Sequence, residues 1–487
     1  MRHRALITTA VCAATLVGTT GLASGALAAP AAPAGPKAPV APAAAAKADK
    51  GADFNGDGFQ DLAVGAHTAK VGDVERAGVV TVAYGSETGL RYETSQIISK
   101  GTPGVPGDPE ADGKWREVRA AGDLDGDGYD DLLLHYLERN MVLWGGEDGV
   151  TGEGTALPPG NYTKDSPKLL GGGMGVGDVN GDGVADIVSR AHHGMEFGVS
   201  ALIGPLNRTT GRPAAVWNRA SAEEDNLVIG TVYVGDLTGD GIDDVVASGG
   251  VVLGSGKPGG VVLKGSPGGW VKGSAFPGPR STENPSAFGD LNKDGYQDLV
   301  SGHPEKNTVF VTYGGKDGVS TTLESRAYTQ ASAGVPGVEE AGDRFGSAVA
   351  VGDTDGDGYA DLVVGASYET GSDAATTAKS GAVTVLRGGA DGITTTGAKS
   401  FTQNTRSIPS TSENNDHFGA SAALVTTGRD GATDLYVGGN GEDGYKGRVW
   451  KLATGTSGVT GEGATSFHLG TVGGPAGGGN FGYRMVG

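Results

Sequence analysis

The sequence predicts an all-β protein whose repeated units close into a ring. Three observations lead to this prediction. A nine-residue acidic loop recurs along the chain, an apolar run rich in β-branched residues follows each copy, and 91 of the 487 residues are glycine. Such runs favour strands, and abundant glycine suits the turns between them. With 37% apolar and 6% aromatic residues, the chain is too polar for a membrane bundle.

The acidic loop is best preserved at residues 353–361, where carboxylates occupy positions 1, 3, 5 and 9. Side chains at alternate positions of a curled loop point inward, so these carboxylates would repel one another without a cation. Oxygen ligands favour a hard cation, and calcium is the best candidate. Gly358, at position 6, fits a sharp turn that needs positive φ. A plain Asp/Gly turn could explain one copy, but it cannot explain six copies in phase.

The six loops start between 54 and 70 residues apart, which indicates a repeated unit with tolerant connections. Positions 1, 3, 5 and 9 would ligate through side chains and position 7 through its carbonyl. The predicted ligands are Asp53, Asn55, Asp57, Phe59 and Asp61; Asp123, Asp125, Asp127, Tyr129 and Asp131; Asp178, Asn180, Asp182, Val184 and Asp186; Asp236, Thr238, Asp240, Ile242 and Asp244; Asp290, Asn292, Asp294, Tyr296 and Asp298; and Asp353, Asp355, Asp357, Tyr359 and Asp361.

We expect about five or six calcium ions (Ca2+) in these loops. The loops at 123–131 and 353–361 should bind most strongly, because all four of their side-chain ligands are carboxylates. Thr238 is a poorer ligand, so the fourth loop should bind less well. A seventh copy at 426–434 lacks the carboxylates at positions 1 and 3, and we expect it to bind nothing.

Strands surround each loop in the sequence. An apolar strand follows it, as at 362–366, and a second strand ending in a glycine turn usually comes next, as at 382–388. A third strand, at 345–352, runs into the loop from a Phe-Gly opening. The first loop has no strand before it, but residues 481–487 carry the same opening. We therefore expect this last strand to pair with the first unit, which closes the ring and removes its exposed sheet edges.

The start of the chain has the pattern of an export signal. Residues 1–30 hold a basic start, an apolar run and small residues suited to cleavage, and residues 31–50 form an Ala/Pro-rich linker. Cys12 is the one cysteine and lies inside the signal. The secreted chain would therefore have no disulfide bonds, and bound metal would stabilise it in their place. No later segment is apolar enough to span a membrane. The net charge of −20 argues against nucleic acid as a partner.

The Phe-Gly openings, Asp-rich loops and Val-Gly-Ala strands of residues 53–487 resemble the FG-GAP repeats of the integrin α-subunit β-propeller. The signature is clearest at 345–366. In the middle copies Trp115, Met174 and Tyr233 lie near the expected aromatic position. The resemblance implies an all-β, seven-bladed β-propeller of four-stranded blades with calcium in its loops. An EF-hand is excluded because position 10 of each loop already begins a strand.

Motifs for catalysis are missing from the sequence: it has no Gly-x-Ser-x-Gly elbow, no His-Glu-x-x-His pair and no phosphate loop. The cluster from His192 to Glu196 could hold a transition metal, but a polar loop between strands is the simpler interpretation. By analogy of fold, we expect a secreted, monomeric adhesion or ligand-binding module for an extracellular protein or glycan. An extracellular hydrolase or lyase is the alternative, and it would show convergent acids or histidines on one face. A purely structural envelope protein is the third possibility.

Overall fold

The computed structural model describes residues 51–487 apart from twelve short gaps. These gaps are 113–114, 116, 137–138, 161–166, 194–195, 220–224, 252–257, 280–284, 372–374, 376, 428–432 and 476. The predicted export signal, the linker and Cys12 lie outside the described residues. Within the described ranges, no helix combines the length and the apolar character that a membrane crossing requires.

The described residues form seven four-stranded antiparallel sheets arranged in a ring, which is the architecture of a seven-bladed β-propeller. This confirms the predicted fold. Blade 1 contains β1 (Leu62–Ala66), β2 (Val79–Tyr84) and β3 (Arg91–Ile98); blade 2 contains β4 (Glu117–Gly122), β5 (Asp131–Tyr136), β6 (Arg139–Leu143) and β7 (Gly154–Ala156); blade 3 contains β8 (Lys168–Gly177), β9 (Asp186–His193), β10 (Glu196–Ile203) and β11 (Ala215–Arg219).

The remaining blades follow the same order. Blade 4 contains β12 (Leu227–Gly235), β13 (Asp244–Val251), β14 (Pro258–Lys264) and β15 (Val271–Ala275); blade 5 contains β16 (Ser286–Gly289), β17 (Asp298–His303), β18 (Thr308–Thr312) and β21 (Arg326–Tyr328), with a small hairpin of β19 (Gly314–Gly315) and β20 (Gly318–Val319); blade 6 contains β22 (Phe345–Gly352), β23 (Asp361–Ala366), β24 (Ala382–Arg387) and β25 (Thr394–Phe401); blade 7 contains β26 (Phe418–Thr426), β27 (Thr433–Gly439), β28 (Arg448–Ala453) and β29 (Thr460–Phe467). Short helical turns lie at Pro304–Lys306 and Glu442–Tyr445 (α1).

The last strand, β30 (Met485–Val486), closes the ring. It pairs antiparallel with β1, placing Val486 opposite Ala63 and Met485 opposite Val64. It thereby becomes the fourth strand of blade 1, so the predicted pairing of the chain's last strand with the first unit is confirmed. We call the four strands of a blade A to D in the order in which the sheet is built, with β30 as strand A of blade 1.

The hydrophobic core lies between the blades. The buried apolar side chains of the described residues fall into seven main clusters, and each cluster joins two adjacent blades. In the cluster between blades 6 and 7, for example, Val363 and Val383 pack with Leu435 and Trp450, all fully buried. Burial of apolar surface is the main stabilising contribution to folding, so the stability of each blade depends on its neighbours.

The Phe-Gly openings form one set of contacts between blades. Phe418 is fully buried and its backbone forms a parallel bridge with Gly381 of the preceding blade. Gly419 has a φ of 86°, and a Cβ placed on Gly365 of blade 6 would lie 2.1 Å from the carbonyl oxygen of Gly419. Gly419 must be glycine because its φ is positive, and Gly365 must be glycine because any side chain there would force the blades apart.

Candidate cation loops and the opposite face

The second to sixth acidic loops each connect strand A to strand B at the same end of their blade, and the first loop leads directly into β1, which is strand B of blade 1. In blade 6, β22 ends at Gly352 and β23 begins at position 9 of the loop, Asp361. The loop curls around the first carboxylate, since Asp353 accepts the N–H of Gly356 at 2.7 Å and that of Gly358 at 2.8 Å. Gly358 has a φ of 86°, as predicted, and Gly356 at position 4 has a φ of 76°, which the sequence analysis missed.

The carboxylate at position 9 anchors each loop to the sheet. Asp61 is completely buried, and its two oxygens accept the N–H groups of Phe54 and Gly85, each at 2.8 Å. The other five loops repeat the arrangement, with one donor inside the loop and one glycine after strand C. Burial raises the pKa of Asp61 to about 7 and that of Asp131 to about 8. A bound cation would favour the ionised form of both groups.

The loop geometry fits a hard divalent cation. Among the described residues, two loops bring three carboxylates together, with ligand oxygens within 4.8 Å of one another: Asp123, Asp125 and Asp131, and Asp353, Asp355 and Asp361. An all-oxygen donor set suits calcium better than a transition metal. The position 5 carboxylate stands outside both triads, and that of Asp127 accepts the N–H of Tyr129 at 3.1 Å. The full predicted ligand set, including position 7, remains a prediction.

Position 8 of the loop joins neighbouring blades, and the sequence analysis missed it. Asp130 in blade 2 accepts the N–H of Asp53 at 2.8 Å, and its own N–H donates to the Asp53 carbonyl at 3.1 Å. Gln297 makes the same reciprocal pair with Asp236, at 2.9 and 3.2 Å. Gln60 and Asp243 also accept the position 1 N–H of the preceding blade. A recurring Gln or Asp at position 8 was the available signal in the sequence.

Two arginines contact the two loops that have four carboxylates. Arg208, in the turn after β10 of blade 3, donates to Asp125 and Asp127 of the blade 2 loop. Arg387, at the end of β24, forms an ion pair with Asp355. These arginines come from different places in their units, so no repeat in the sequence indicated them.

The seventh loop differs from the other six. Its centre, residues 428–432, lies outside the described residues. Asp434, at position 9, pairs instead with the ammonium group of Lys451, whose Nζ lies 2.7 Å from the carboxylate. The position 9 carboxylate of this loop is therefore paired with a cation of the chain itself.

The opposite end of the propeller carries a different surface, which we call the aromatic–basic patch: Arg344, Tyr368, Lys379, His417 and Tyr445. The cationic groups of Arg344 and Lys379 lie 4.8 and 4.6 Å from the ring centre of Tyr368. The His417 ring stacks on Tyr368 at 4.9 Å, and half of the Tyr445 side chain is exposed. Burial lowers the pKa of His417, so the positive charge of the patch comes from Arg344 and Lys379.

The two mouths of the central channel also differ in charge. At the loop end, a cavity of about 830 Å³ is lined by Asp53, Asp123 and Asp178 among others. At the other end, a cavity of about 190 Å³ is lined by Arg119 and Arg484 among small and apolar residues. Because Arg119 pairs with Glu117, Arg484 supplies the positive charge of the second cavity, and anionic groups are disfavoured at the loop end.

Two glutamates on the patch side are the acids to consider for the alternative of an extracellular hydrolase or lyase, and each accepts a hydrogen bond from a glutamine. Gln330 donates to Glu369 at 2.6 Å, and Gln403 donates to Glu442 at 2.5 Å, at equivalent positions of consecutive blades. Burial raises the pKa of Glu369 to about 6. Because the pair is repeated, a structural joint explains it as well as catalysis would. The cluster from His192 to Glu196 flanks the β9–β10 hairpin, whose tip lies outside the described residues.

Comparison with known proteins identifies the repeat. The FG-GAP repeat family matches residues 49–82 and 345–386, and the FG-GAP-like repeat family matches 123–189 and 290–364. Integrin alpha pat-2 of Caenorhabditis briggsae is 31% identical over 227 residues, covering 41% of this chain and 18% of the relative; the protein of Caenorhabditis elegans is 32% identical over 218 residues, covering 39% and 16%. The chain thus spans less than a fifth of these relatives.

Among solved structures, AofleA from Arthrobotrys oligospora aligns at a TM-score of 0.37 with 12% identity, over 72% of this chain and 86% of that one. An arginine mutant of AofleA aligns at a TM-score of 0.38 with the same identity, over 72% of this chain and 87% of that one. Scores this low carry no structural argument.

Proposed function

Because the chain is an FG-GAP repeat protein folded as a seven-bladed β-propeller, we propose that it is a secreted, monomeric, calcium-binding module that binds an acidic extracellular protein or glycan. Its similarity to integrin α subunits supports a ligand-binding or adhesion module in general. Calcium in the six loops would be structural, and the ligand would dock on the opposite face.

The aromatic–basic patch is the observation that carries this proposal. In a chain of net charge −20, Arg344 and Lys379 converge on one aromatic ring and remain exposed to solvent. Cations beside an exposed aromatic surface suit a ligand that offers carboxylate or sulfate groups together with apolar or sugar-ring contacts. The patch is built from connections of blades 6 and 7 and from the segment that enters blade 6, so the packing of these two blades is needed to assemble it.

Calcium would act at the other end of the same blades. Position 1 and position 8 of adjacent loops hold each other through reciprocal hydrogen bonds. A cation that fixes the loop would therefore fix the joint between two blades. Extracellular calcium modules work with dissociation constants of about 10⁻⁴–10⁻³ M, which suits a role in stability outside the cell.

The test is a binding screen of the secreted protein against acidic and neutral glycans and extracellular proteins, with calcium and with excess chelator. We expect an acidic ligand to bind, and Tyr368→Ala and Lys379→Ala to weaken that binding about tenfold or more without lowering the melting temperature by more than a few degrees. Lys316→Ala is the matched control, since Lys316 is an exposed lysine on the loop side. Binding that is unaffected by both patch variants would refute the assignment of this face.

Secretion needs its own measurement. We expect the protein in the culture medium, with a mature start close to residues 26–29 when its amino terminus is sequenced. Retention of the complete chain inside the cell would contradict this part of the proposal.

A further inference from the structure

Arg208 and Arg387 distinguish two of the six candidate calcium sites from the rest. The two loops with an aspartate at position 3 are the two loops in which a guanidinium group contacts that aspartate. In the loops with asparagine at position 3, the donor beside the acidic side chains is the asparagine amide. The Nδ2 groups of Asn55, Asn180 and Asn292 donate to the aspartate at position 5, at 2.8 to 3.0 Å.

The formal charges of the loops become equal when the arginines are included. The four side-chain ligand positions carry −3 in the loops that have asparagine or threonine at position 3 and −4 in the loops at 123–131 and 353–361. One paired arginine returns each of the latter two to −3. The first loop has a weaker additional contact, since Arg91 lies 3.8 Å from Asp57 with more than half of its side chain exposed.

Both ion pairs involve a buried aspartate, and further contacts hold Arg208 in place. The carboxylate of Asp355 is only 3% exposed and that of Asp125 only 8%, so solvent screens these pairs much less than surface pairs. The guanidinium of Arg208 also lies 5.4 Å from the Trp144 ring and donates to the Gly145 carbonyl at 3.3 Å. These contacts fix the charge beside the loop rather than leaving it free in solvent.

We propose that Arg208 and Arg387 lower the calcium affinity of the second and sixth loops to that of the three-carboxylate loops, by competing with the cation for the position 3 aspartate. This inference rests on the proposed calcium role. It replaces the expectation, based on carboxylates alone, that these two sites bind most strongly. The second and sixth loops would then fill over the same range of calcium concentration as the loops with asparagine at position 3, so the blade joints beside these loops would be fixed together.

The magnitude follows from Coulomb's law. A divalent cation and a guanidinium sharing one carboxylate lie within a few ångströms of each other. Even at the dielectric constant of water, their repulsion at about 5 Å amounts to roughly a tenfold change in affinity, and partial burial increases it. Removing the arginine charge should therefore tighten calcium binding at that loop about tenfold or more.

The experiment is a calcium titration of the full secreted chain, followed by hydrogen exchange and mass spectrometry of the separate loop peptides. In the wild-type protein, we expect the loops at 123–131, 353–361 and 178–186 to gain protection at similar free calcium concentrations, within about threefold. Arg208→Gln should move the midpoint of 123–131 about tenfold lower and leave 178–186 unchanged. Arg387→Gln should do the same for 353–361, and it supplies an independent test if Arg208→Gln does not fold.

The double variant Asp125→Asn/Arg208→Gln restores a charge of −3, and its midpoint should return to the wild-type value. Midpoints that stay unchanged, or that rise, in both arginine variants would overturn the proposal while leaving the calcium role intact. If no loop gains protection at any calcium concentration, the calcium role fails and this inference fails with it.

Discussion

Replacing Gln297 with alanine tests whether position 8 holds the blades together. In the wild-type protein the Gln297 side chain accepts the N–H of Asp236 in the neighbouring blade at 2.9 Å. Asp236 is completely buried and Gln297 is only 7% exposed, so water from the loop-end cavity, which Gln297 lines, is the one replacement for the lost acceptor. The backbone half of the joint, from the Gln297 N–H to the Asp236 carbonyl, is retained in the variant.

The expected cost is that of one buried N–H left without an acceptor, about 1–3 kcal/mol. An unfolding entropy of about 2 cal/mol/K per residue over roughly 440 residues makes the corresponding shift in melting temperature only about 1–3 °C. The same loss of free energy has a much larger effect on the rate of hydrogen exchange at the joint than on the melting temperature. If the same free energy is lost from local opening, exchange of the Asp236 amide should accelerate about 5- to 150-fold.

Hydrogen exchange of peptides from each blade joint is therefore the appropriate assay. Glu462→Ala, an exposed side chain on β29, is the control for a neutral surface truncation. The joint at Ala360 provides an internal reference, because alanine occurs there naturally and only the backbone bond to Asp290 is present. Unchanged exchange at the joint between blades 4 and 5, or equal acceleration at every joint, would refute the position 8 argument.

Three further predictions concern stability. Excess chelator should lower the melting temperature markedly, because each site at a tenfold excess of calcium over its dissociation constant contributes about 1.4 kcal/mol; an unchanged melting temperature would rule out structural calcium. Lys293→Gly should stabilise the fifth loop by about 0.5–1 kcal/mol in denaturant titrations, because Lys293 has a φ of 58° at a position that is glycine in the other five loops; a lower midpoint would contradict this. His303 is fully buried, and burial lowers its pKa from 6.5 to about 4. A depressed pKa gives stability that is present above about pH 6.5 and is lost as the pH falls toward 4, by up to about 3 kcal/mol, so His303→Gln should reduce the fall in denaturant midpoint between these two pH values.

The repeated features of the fold could be predicted from the sequence because each one recurs. The loops, strands B and C and the Phe-Gly openings appear several times, and the missing strand of the first unit could be matched to residues 481–487. Position 8 recurs as well, but its role depends on which residue faces it across the blade joint. Knowing that Gln297 faces Asp236 requires the packing of two blades, which the spacing of motifs does not supply.

The features that occur once could not be predicted in this way. Arg208 reaches Asp125 across 83 positions of sequence, from a turn whose length varies between units. In the aromatic–basic patch, Arg344 and His417 each directly precede a Phe-Gly opening, but only the packing of blade 7 on blade 6 places both of them against Tyr368. Contacts of this kind lie in variable connections, where a repeat gives no register.

The signature of the repeat is best understood as an interface between blades. Its Phe-Gly end packs against the preceding blade, its acidic loop bonds to the following one, and the apolar clusters lie between them. The interface between blades 7 and 1 is where the acidic loop has decayed, and there the opening Phe481 forms a parallel bridge with Gly447. Gln60 also accepts the N–H of Thr426 across this interface, whereas the Lys451–Asp434 pair lies within blade 7. The backbone bridge, the position 8 bond and the apolar cluster between the two blades therefore hold together a joint whose loop lacks the carboxylates at positions 1 and 3.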